Sequence, residues 1–321
     1  MTYIGIDVAS ATLEVGRSDS AITQRFPNNE VGITALVQWL QTRGRPQVIL
    51  EPTSTYHQQL VQALALQNVP YTLINPARTA AFARLQGKRA KTDRVDARLL
   101  ATLGESQQLQ PTPPPDEVQE ELKALRRHLE WLEGEQRAAQ NRLETARRSP
   151  WAPQAVLESL ERTVQALEQE RQQLEDAVRA KVQEQPGLQH QMRLLTTIPG
   201  IGDRSALLLL SELPSVDRAL SAKTWVAFCG VNPEPRESGK IRYSKLSRVG
   251  LARIRARLYM AAVSALRWNP VVHALGERLL ARGKGGKLRV MAAMNKLLRL
   301  CFGVLRQGRP FNPALHQRVS P

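Results

Sequence analysis

Cysteine is almost missing from this chain of 321 residues: there are two, Cys229 and Cys301, each in an apolar stretch. That excludes a disulfide-stapled scaffold, and in a reducing compartment both thiols are expected to be free and buried. The five histidines, His57, His128, His190, His273 and His316, never pair at ligand spacing, which argues against a structural zinc site. Aromatics make up only 5%, so stacking on nucleobases is not expected to be the main mode of recognition. No run approaches the ~20 apolar residues of a transmembrane helix, and the amino terminus has no signal-peptide layout, so a soluble, cytoplasmic protein without a membrane partner is expected. Acids are nearly absent from the last third. From Arg218 onward 21 Lys and Arg face Glu234, Glu237 and Glu277, a surplus of 18; with a net charge of +16 the rest of the chain is left at −2.

So uneven a charge reads as a surface for a polyanion, because neutralising phosphates releases condensed counterions. Nucleic acid is the leading candidate, an anionic membrane the rival. The length suits about two domains. Residues 1–110 read as an α/β layer: "YIGIDVASATLEVGRSD" suggests an opening hairpin, "VGITALVQWLQTRG" a helix, "PQVILEP" a buried strand, and Tyr71 to Ile74 another. "QPTPPPDE" at 110–117 is a linker, since consecutive prolines continue neither a helix nor a central strand. Within 111–188, Leu122, Leu125, Leu129, Leu132 and Leu143, then Leu160, Val164, Leu167, Leu174 and Val178, follow heptad spacing, interrupted by Gln136 and Arg171. Two helices about a Pro-containing turn predict an antiparallel coiled-coil arm. Residues 189–321 read as mainly helical and basic. "TIPGIGDRSALLLL" suggests a helix-hairpin-helix whose Gly200 and Gly202 bare backbone N–H groups to a phosphate, or a plain helix–helix turn.

Two acids close apolar runs: Asp7 after Tyr3 to Ile6, and Glu51 after Val48 to Leu50. Active groups cluster at such strand ends in α/β sheets, and adjacent strands would make the two carboxylates neighbours. In "KTDRVDARLL", Asp93 and Asp96 share one face of an expected helix. Four carboxylates in one pocket repel unless a cation sits among them, and oxygen donors with open positions suit Mg²⁺ or Mn²⁺. Such metals support phosphoryl transfer. Singly, each acid reads equally as a surface charge or salt-bridge partner, and Asp7 also as a phosphate-loop residue of an actin-like ATPase, although no second Gly-rich loop follows.

"YIGIDVA", "ILEPTSTY", "INPARTAAFA" with "KRAKTDRVDARLLA", then "TIPGIGDRSALLLL", "FCGVNPEPRESGK" and "RIRARLYMAA" run in order along nearly the whole chain. Together they resemble the DEDD transposases of the insertion-sequence one-hundred-and-ten family. The resemblance implies a resolvase-like ribonuclease-H fold with its acids at Asp7, Glu51, Asp93 and Asp96, a coiled-coil insertion, and a carboxy-terminal transposase domain. From its Glu-Ser-Gly motif, here Glu237, Ser238 and Gly239, that domain supplies a catalytic serine. It further implies a recombinase guided by a bridge RNA that pairs with donor and target DNA, acting as a homo-oligomer, dimer or tetramer. One departure is Pro52 after the acid, where "EATGTY" is the common form.

Read locally, Ser238 is a turn residue before Gly239; only the resemblance makes it a nucleophile, forming a phosphoserine linkage. Lys91 and Arg94 beside the acids, Lys240, Arg242, Lys245 and Arg248 after the serine, and Lys284 and Lys287 in the glycine-rich basic tail are candidate phosphate contacts. Tyr56 and Tyr243 are rival nucleophiles. A metal-dependent nuclease or junction resolvase using water, and a non-catalytic nucleic-acid-binding protein, stay open as other functions.

Overall fold

The computed structural model describes residues 2–20, 22–44, 46–87, 92–218, 221–238, 241–246 and 250–316. The chain divides into two compact units, Met1–Asp116 and Glu117–Pro321.

The first unit is a mixed α/β layer. Along the chain run β1 (Tyr3–Val8), β2 (Thr12–Arg17), β3 (Gln24–Pro27), α1 (Glu30–Gln41), β4 (Gln47–Leu50), α2 (Gln58–Leu66), β5 (Tyr71–Leu73), α3 (Pro76–Leu85) and α4 (Asp93–Gln107). The five strands lie in the order β3-β2-β1-β4-β5. β1 with β2 is the expected hairpin, and β4 and β5 follow parallel to β1. β3 was not expected: its sequence QRFP is short and polar, and its Pro27 suits only an edge strand.

Alternation along the strands sorts the two faces. Ile4, Ile6, Val8, Leu13, Val15, Val48 and Leu50 point one way, into a core with Leu36 and Leu40 of α1 and Leu60 and Leu64 of α2. The opposite face carries Tyr3, Gly5 and Ile49, and α4 lies on it, burying Leu99, Leu100 and Leu103 with Phe82 of α3. Gly5 and Gly16 are register partners on β1 and β2. A Cβ on Gly5 would stand 1.9 Å from the Ala97 carbonyl oxygen, and one on Gly16 2.9 Å from the Arg98 nitrogen. Helix backbone therefore rests directly on sheet backbone. Further along, Gly104 approaches Ile49 and Tyr3, where a Cβ would fall 2.6 Å and 2.8 Å from their side chains. These contacts orient α4: its C-terminal part covers the start of β1, and its first turn extends towards the strand's carboxyl end. The stretch after α4 is pinned along β5, Thr112 N–H donating to the Tyr71 carbonyl at 2.7 Å and the Leu73 N–H to Thr112 Oγ1 at 2.9 Å.

The second unit contains α5 (Glu117–Arg147), α6 (Gln154–Gln183), α7 (Pro186–Thr196), α8 (Asp203–Glu212), α9 (Ala222–Phe228), β6 (Pro233–Ser238), β7 (Ile241–Leu246), α10 (Ala252–Trp268), α11 (Pro270–Ala281) and α12 (Gly286–Gln307). α5 and α6 pair as an antiparallel hairpin: Arg147 meets Glu161 at 2.7 Å at one end, and Lys181 meets Glu121 at the other. Leu122, Leu129, Leu132 and Leu143 are buried along α5, while Leu160, Val164, Leu167 and Leu174 of α6 are half-buried. Helices α7 to α12 enclose the main core, which holds both free thiols. Burial pushes the Cys229 thiol up to about 12 and raises that of Cys301 as well, so neither is a nucleophile at neutral pH.

Arg126 is buried on the apolar side of α5 because a carboxylate awaits it there. Buried Glu212, at the end of α8, accepts from Arg126, from Arg127 of the same helix at 3.0 Å, and from Arg253 of α10 at 3.2 Å; Arg126 also donates to Ser211 Oγ at 2.9 Å. Burial alone would raise the Glu212 carboxyl. The hydrogen bond and charge of Arg127, with the charges of Arg126 and Lys123, outweigh it and hold the group below the usual carboxylate range. The base of the α5–α6 hairpin is thereby tied to α8 and α10.

Two outcomes follow for stability. Gly5→Ala forces α4 off the sheet and is expected to cost about 3 kcal/mol in urea unfolding. Glu212→Gln removes one of the two carboxylates that face buried Arg126, Glu130 remaining at 2.7 Å, and is expected to cost about 3 kcal/mol. Because the folded Glu212 carboxyl lies below its unfolded value, its contribution is complete above about pH 4.3 and is lost as pH falls through the depressed folded value. A stability-versus-pH series should show a steeper acid limb in the native protein than in the Gln variant, in which Glu14 still contributes one.

Candidate active site

The register of the sheet brings four charged positions into one row. Arg25 on β3 faces Glu14 on β2, which faces Asp7 on β1. Ile6 pairs with Leu50, so Glu51, one residue beyond β4, comes beside Asp7 on the neighbouring parallel strand. Strands lie about 4.8 Å apart, which sets the spacing of the row. By alternation Glu14 shares its face with Gly16, and Asp7 with Gly5: the face that α4 covers. Asp7 and Glu51 are half-buried.

α4 begins there for local reasons. Thr92 caps it, its hydroxyl accepting from the Val95 N–H at 3.3 Å, and Asp93 and Asp96 occupy the first turn, where the helix dipole favours negative charge. That preference alone would account for two acids. What adds to it is the direction of the helix, which carries this turn towards the carboxyl end of β1. Asp96 is half-buried; Asp93 is exposed, its carboxylate 3.9 Å from Arg25. Lys91 lies outside the described residues.

Glu14 is the acid that sequence reasoning missed. It is only 3% exposed. Its carboxylate accepts from the Thr23 hydroxyl and from Arg25 Nε at 2.8 Å, with Arg94 Nε at 3.7 Å. Burial pushes its carboxyl up, but the hydrogen bonds from Thr23 and Arg25 and the charges of Arg25 and Arg94 prevail and hold it below the usual range. The signal was present: in "TLEVGR" Glu14 alternates with buried Leu13 and Val15, and a short turn pairs it with Asp7. Asn28 supports the same end of the sheet, its Nδ2 donating to the carbonyls of Ala9 at 2.8 Å and Tyr56 at 3.1 Å. It thereby joins the segments that follow Asp7 and Glu51.

The second unit carries the remaining candidates. Ser238 ends β6, where the backbone pairs it with Ile241; the side chains of Ser238, Arg242 and Lys245, and all of Lys240 and Arg248, lie outside the described residues. The neck of this strand pair is closely built. Gly250, with φ +144, passes so near Gly230 that a Cβ would fall 2.5 Å from its nitrogen. Leu251 N–H donates to the Phe228 carbonyl at 3.3 Å, and Arg255 donates to the carbonyls of Cys229 at 3.2 Å and Gly250 at 3.0 Å. Gly200 and Gly202 separate in role. A Cβ on Gly200 (φ +100) would stand 2.7 Å from that of Ala265, so this glycine is required by packing on α10; Gly202, at the start of α8, faces open space. Lys284 and Lys287 are exposed, Lys287 beside Arg255, Tyr259 and Met260 along a shallow cleft.

Two family models match the chain: residues 4–147 match the DEDD transposase model of the IS110 group, and residues 192–277 the model described as "Transposase IS116/IS110/IS902 family". The chain belongs to the IS110 family of transposases. It is a DNA transposase/recombinase of the insertion-sequence type, and all four candidate acids fall within the first match, Ser238 within the second. It is similar along its whole length to the pilin gene-inverting proteins of Moraxella bovis, at 29% identity, and Moraxella lacunata, at 28%; each alignment covers 98% of this chain and 99% of the relative.

A DEDD transposase implies a divalent metal, and the residues can be tested against it. All four donors are carboxylate oxygens, the chemistry suited to Mg²⁺ or Mn²⁺, and the backbone sets Asp7 beside Glu51 near the first turn of α4. Among the described residues, however, no three His, Cys, Asp or Glu side chains converge as a ready cage. The fit is one of donor type and backbone placement. No described helix is long and apolar enough to cross a membrane.

For this transposase the neck is open to a direct check. Arg255→Ala removes a charged donor to two carbonyls, a loss of about 1.5–3 kcal/mol. Backbone hydrogen exchange across residues 233–246 should then accelerate tenfold or more, with α7 and α8 little changed.

Proposed function

We propose that this transposase cleaves and rejoins DNA strands by metal-dependent phosphoryl transfer, with Asp7, Glu51, Asp93 and Asp96 as the carboxylate site and Ser238 as nucleophile. The observation that carries the reading is the register of β1 with β4, which sets Asp7 beside Glu51 on the sheet face towards which the first turn of α4 is directed. Bound Mg²⁺ or Mn²⁺ would offset the repulsion of these acids and stabilise charge on the attacking and leaving oxygens. The Ser238 hydroxyl loses its proton as Oγ attacks the phosphorus. One P–O bond forms while the bond to the departing strand breaks, giving a phosphoserine diester and a free strand hydroxyl. Attack by a strand hydroxyl on that diester reverses the exchange and restores the serine. The number of phosphodiester bonds is conserved, so rejoining needs no added energy source.

The family resemblance supports a ribonuclease-H-like first domain, a coiled-coil arm, guidance by a bridge RNA pairing with donor and target DNA, and action as a homo-oligomer; the glycine spacing and the basic charge support a helix-hairpin-helix-like element at Gly200 and Gly202 and a cytoplasmic, nucleoid-associated protein. Arg94, Arg242, Lys245, Lys284 and Lys287, with Lys91, Lys240 and Arg248, are assigned to nucleic-acid backbone. A second reading keeps the carboxylate site and replaces the serine by water, the protein then acting as a nuclease or junction resolvase.

The test is a covalent capture. The protein is coexpressed with its own element, copurifying RNA is sequenced, and labelled element DNA is added with Mg²⁺. The expected result is a protein–DNA adduct that yields phosphoserine and disappears in Ser238→Ala and in Asp7→Ala. A phosphotyrosine adduct, or one surviving Ser238→Ala, would overturn the serine assignment. Cleaved DNA without adduct would favour water, and absence of any enriched RNA would remove the guide.

A further inference from the structure

We propose that Glu14 is a positioning residue of the carboxylate site, holding the first turn of α4 in place through Arg25 and Arg94. The inference rests on the assignment of Asp7, Glu51, Asp93 and Asp96 as that site. Its basis is geometric. Glu14 is the middle of the row Arg25–Glu14–Asp7, on the sheet face covered by α4, and it is buried where a carboxylate needs compensation. That compensation comes from two directions. Arg25 reaches it from β3 at 2.8 Å, and Arg94 reaches it from α4 at 3.7 Å. Arg94 stands between Asp93 and Asp96 in sequence, and Arg25 also lies 3.9 Å from Asp93. One buried carboxylate thus engages the helix turn directly through Arg94 and indirectly through Arg25.

The arrangement resolves a conflict built into the site. Asp7 and Glu51 sit beside each other, and a helix start with two more acids would be repelled from them by like charge. The Gly5–Gly16 saddle fixes α4 at Ala97 and Arg98, but that contact lies beyond the acidic turn. Glu14 with its two arginines is an attraction that acts on the turn itself. It introduces no extra acid to the metal-facing set, since its oxygens already accept from Thr23 and Arg25.

Positioning and simple charge make opposite predictions at Arg25. If Arg25 were only a nearby cation, removing it would tighten binding of a divalent metal. If it relays Glu14 to Asp93, removing it should weaken that binding. The experiment measures Mn²⁺ alone, by electron paramagnetic resonance of the free ion, with the full-length wild-type protein, Asp7→Ala, Glu14→Gln and Arg25→Gln. Expected are loss of the tight site in Asp7→Ala, about tenfold weaker Mn²⁺ binding in Glu14→Gln, and roughly threefold weaker binding in the surface variant Arg25→Gln. Unchanged or tighter binding in Arg25→Gln overturns the proposal, even if Glu14→Gln fails to fold. Unchanged Mn²⁺ binding in Asp7→Ala, by contrast, would sink the site assignment itself and not this inference alone.

Discussion

The close contact of α4 with the sheet governs the first unit. Side chains on both surfaces ordinarily keep a helix and a sheet apart. Here Gly5 and Gly16 remove those side chains at one register pair, and Ala97 and Ala101 present the smallest helix face to the gap. Backbone meets backbone, so the helix can neither slide nor roll without a clash. Asp7 follows Gly5 by two residues, and Asp96 precedes Ala97 by one. The contact that packs the unit therefore also sets the relation between two acids drawn from opposite ends of its sequence.

Electrostatics divides between the units in a consistent way. In the first, Glu14 is buried and compensated by arginines that reach it from a strand and a helix. In the second, Glu212 is buried and compensated by arginines from α5 and α10. Each carboxylate is buried at a junction between elements, and each is held ionised by partners that outweigh desolvation. A group of that kind specifies which elements meet more sharply than apolar contact does, because any other arrangement leaves a buried charge unpaired. Arg126 illustrates the point: a charged residue beside the apolar seam of α5, it is buried against Glu212 and Glu130.

Much of this was legible from residue order. The alternation in "YIGIDVA", the helix that carries Asp93 and Asp96 on one face and the proline-rich stretch before α5 follow from local chemistry, and the strand-end acids Asp7 and Glu51 were found because apolar runs stop at them. Glu14 was not found, since its meaning depends on which residue lies across the hairpin. β3 and the β6–β7 pair were not expected either. QRFP and PEPRES carry too many prolines and charges to look like strands. They are strands because a neighbouring chain segment supplies the hydrogen bonds.

What the sequence alone determined is the opening hairpin, the strands that lead to Glu51 and Ile74, the long helices, the uneven charge that points to nucleic acid, and the membership of the IS110 transposases, all properties of residue type and order. What tertiary structure decided is adjacency. It placed Glu51 beside Asp7 through the parallel pairing of β1 with β4, turned the first turn of α4 towards them through the glycine saddle, and assigned Gly200 to packing and Gly202 to open surface. Adjacency across strands depends on register, and register is settled by long-range hydrogen bonding and burial that no local stretch of sequence contains.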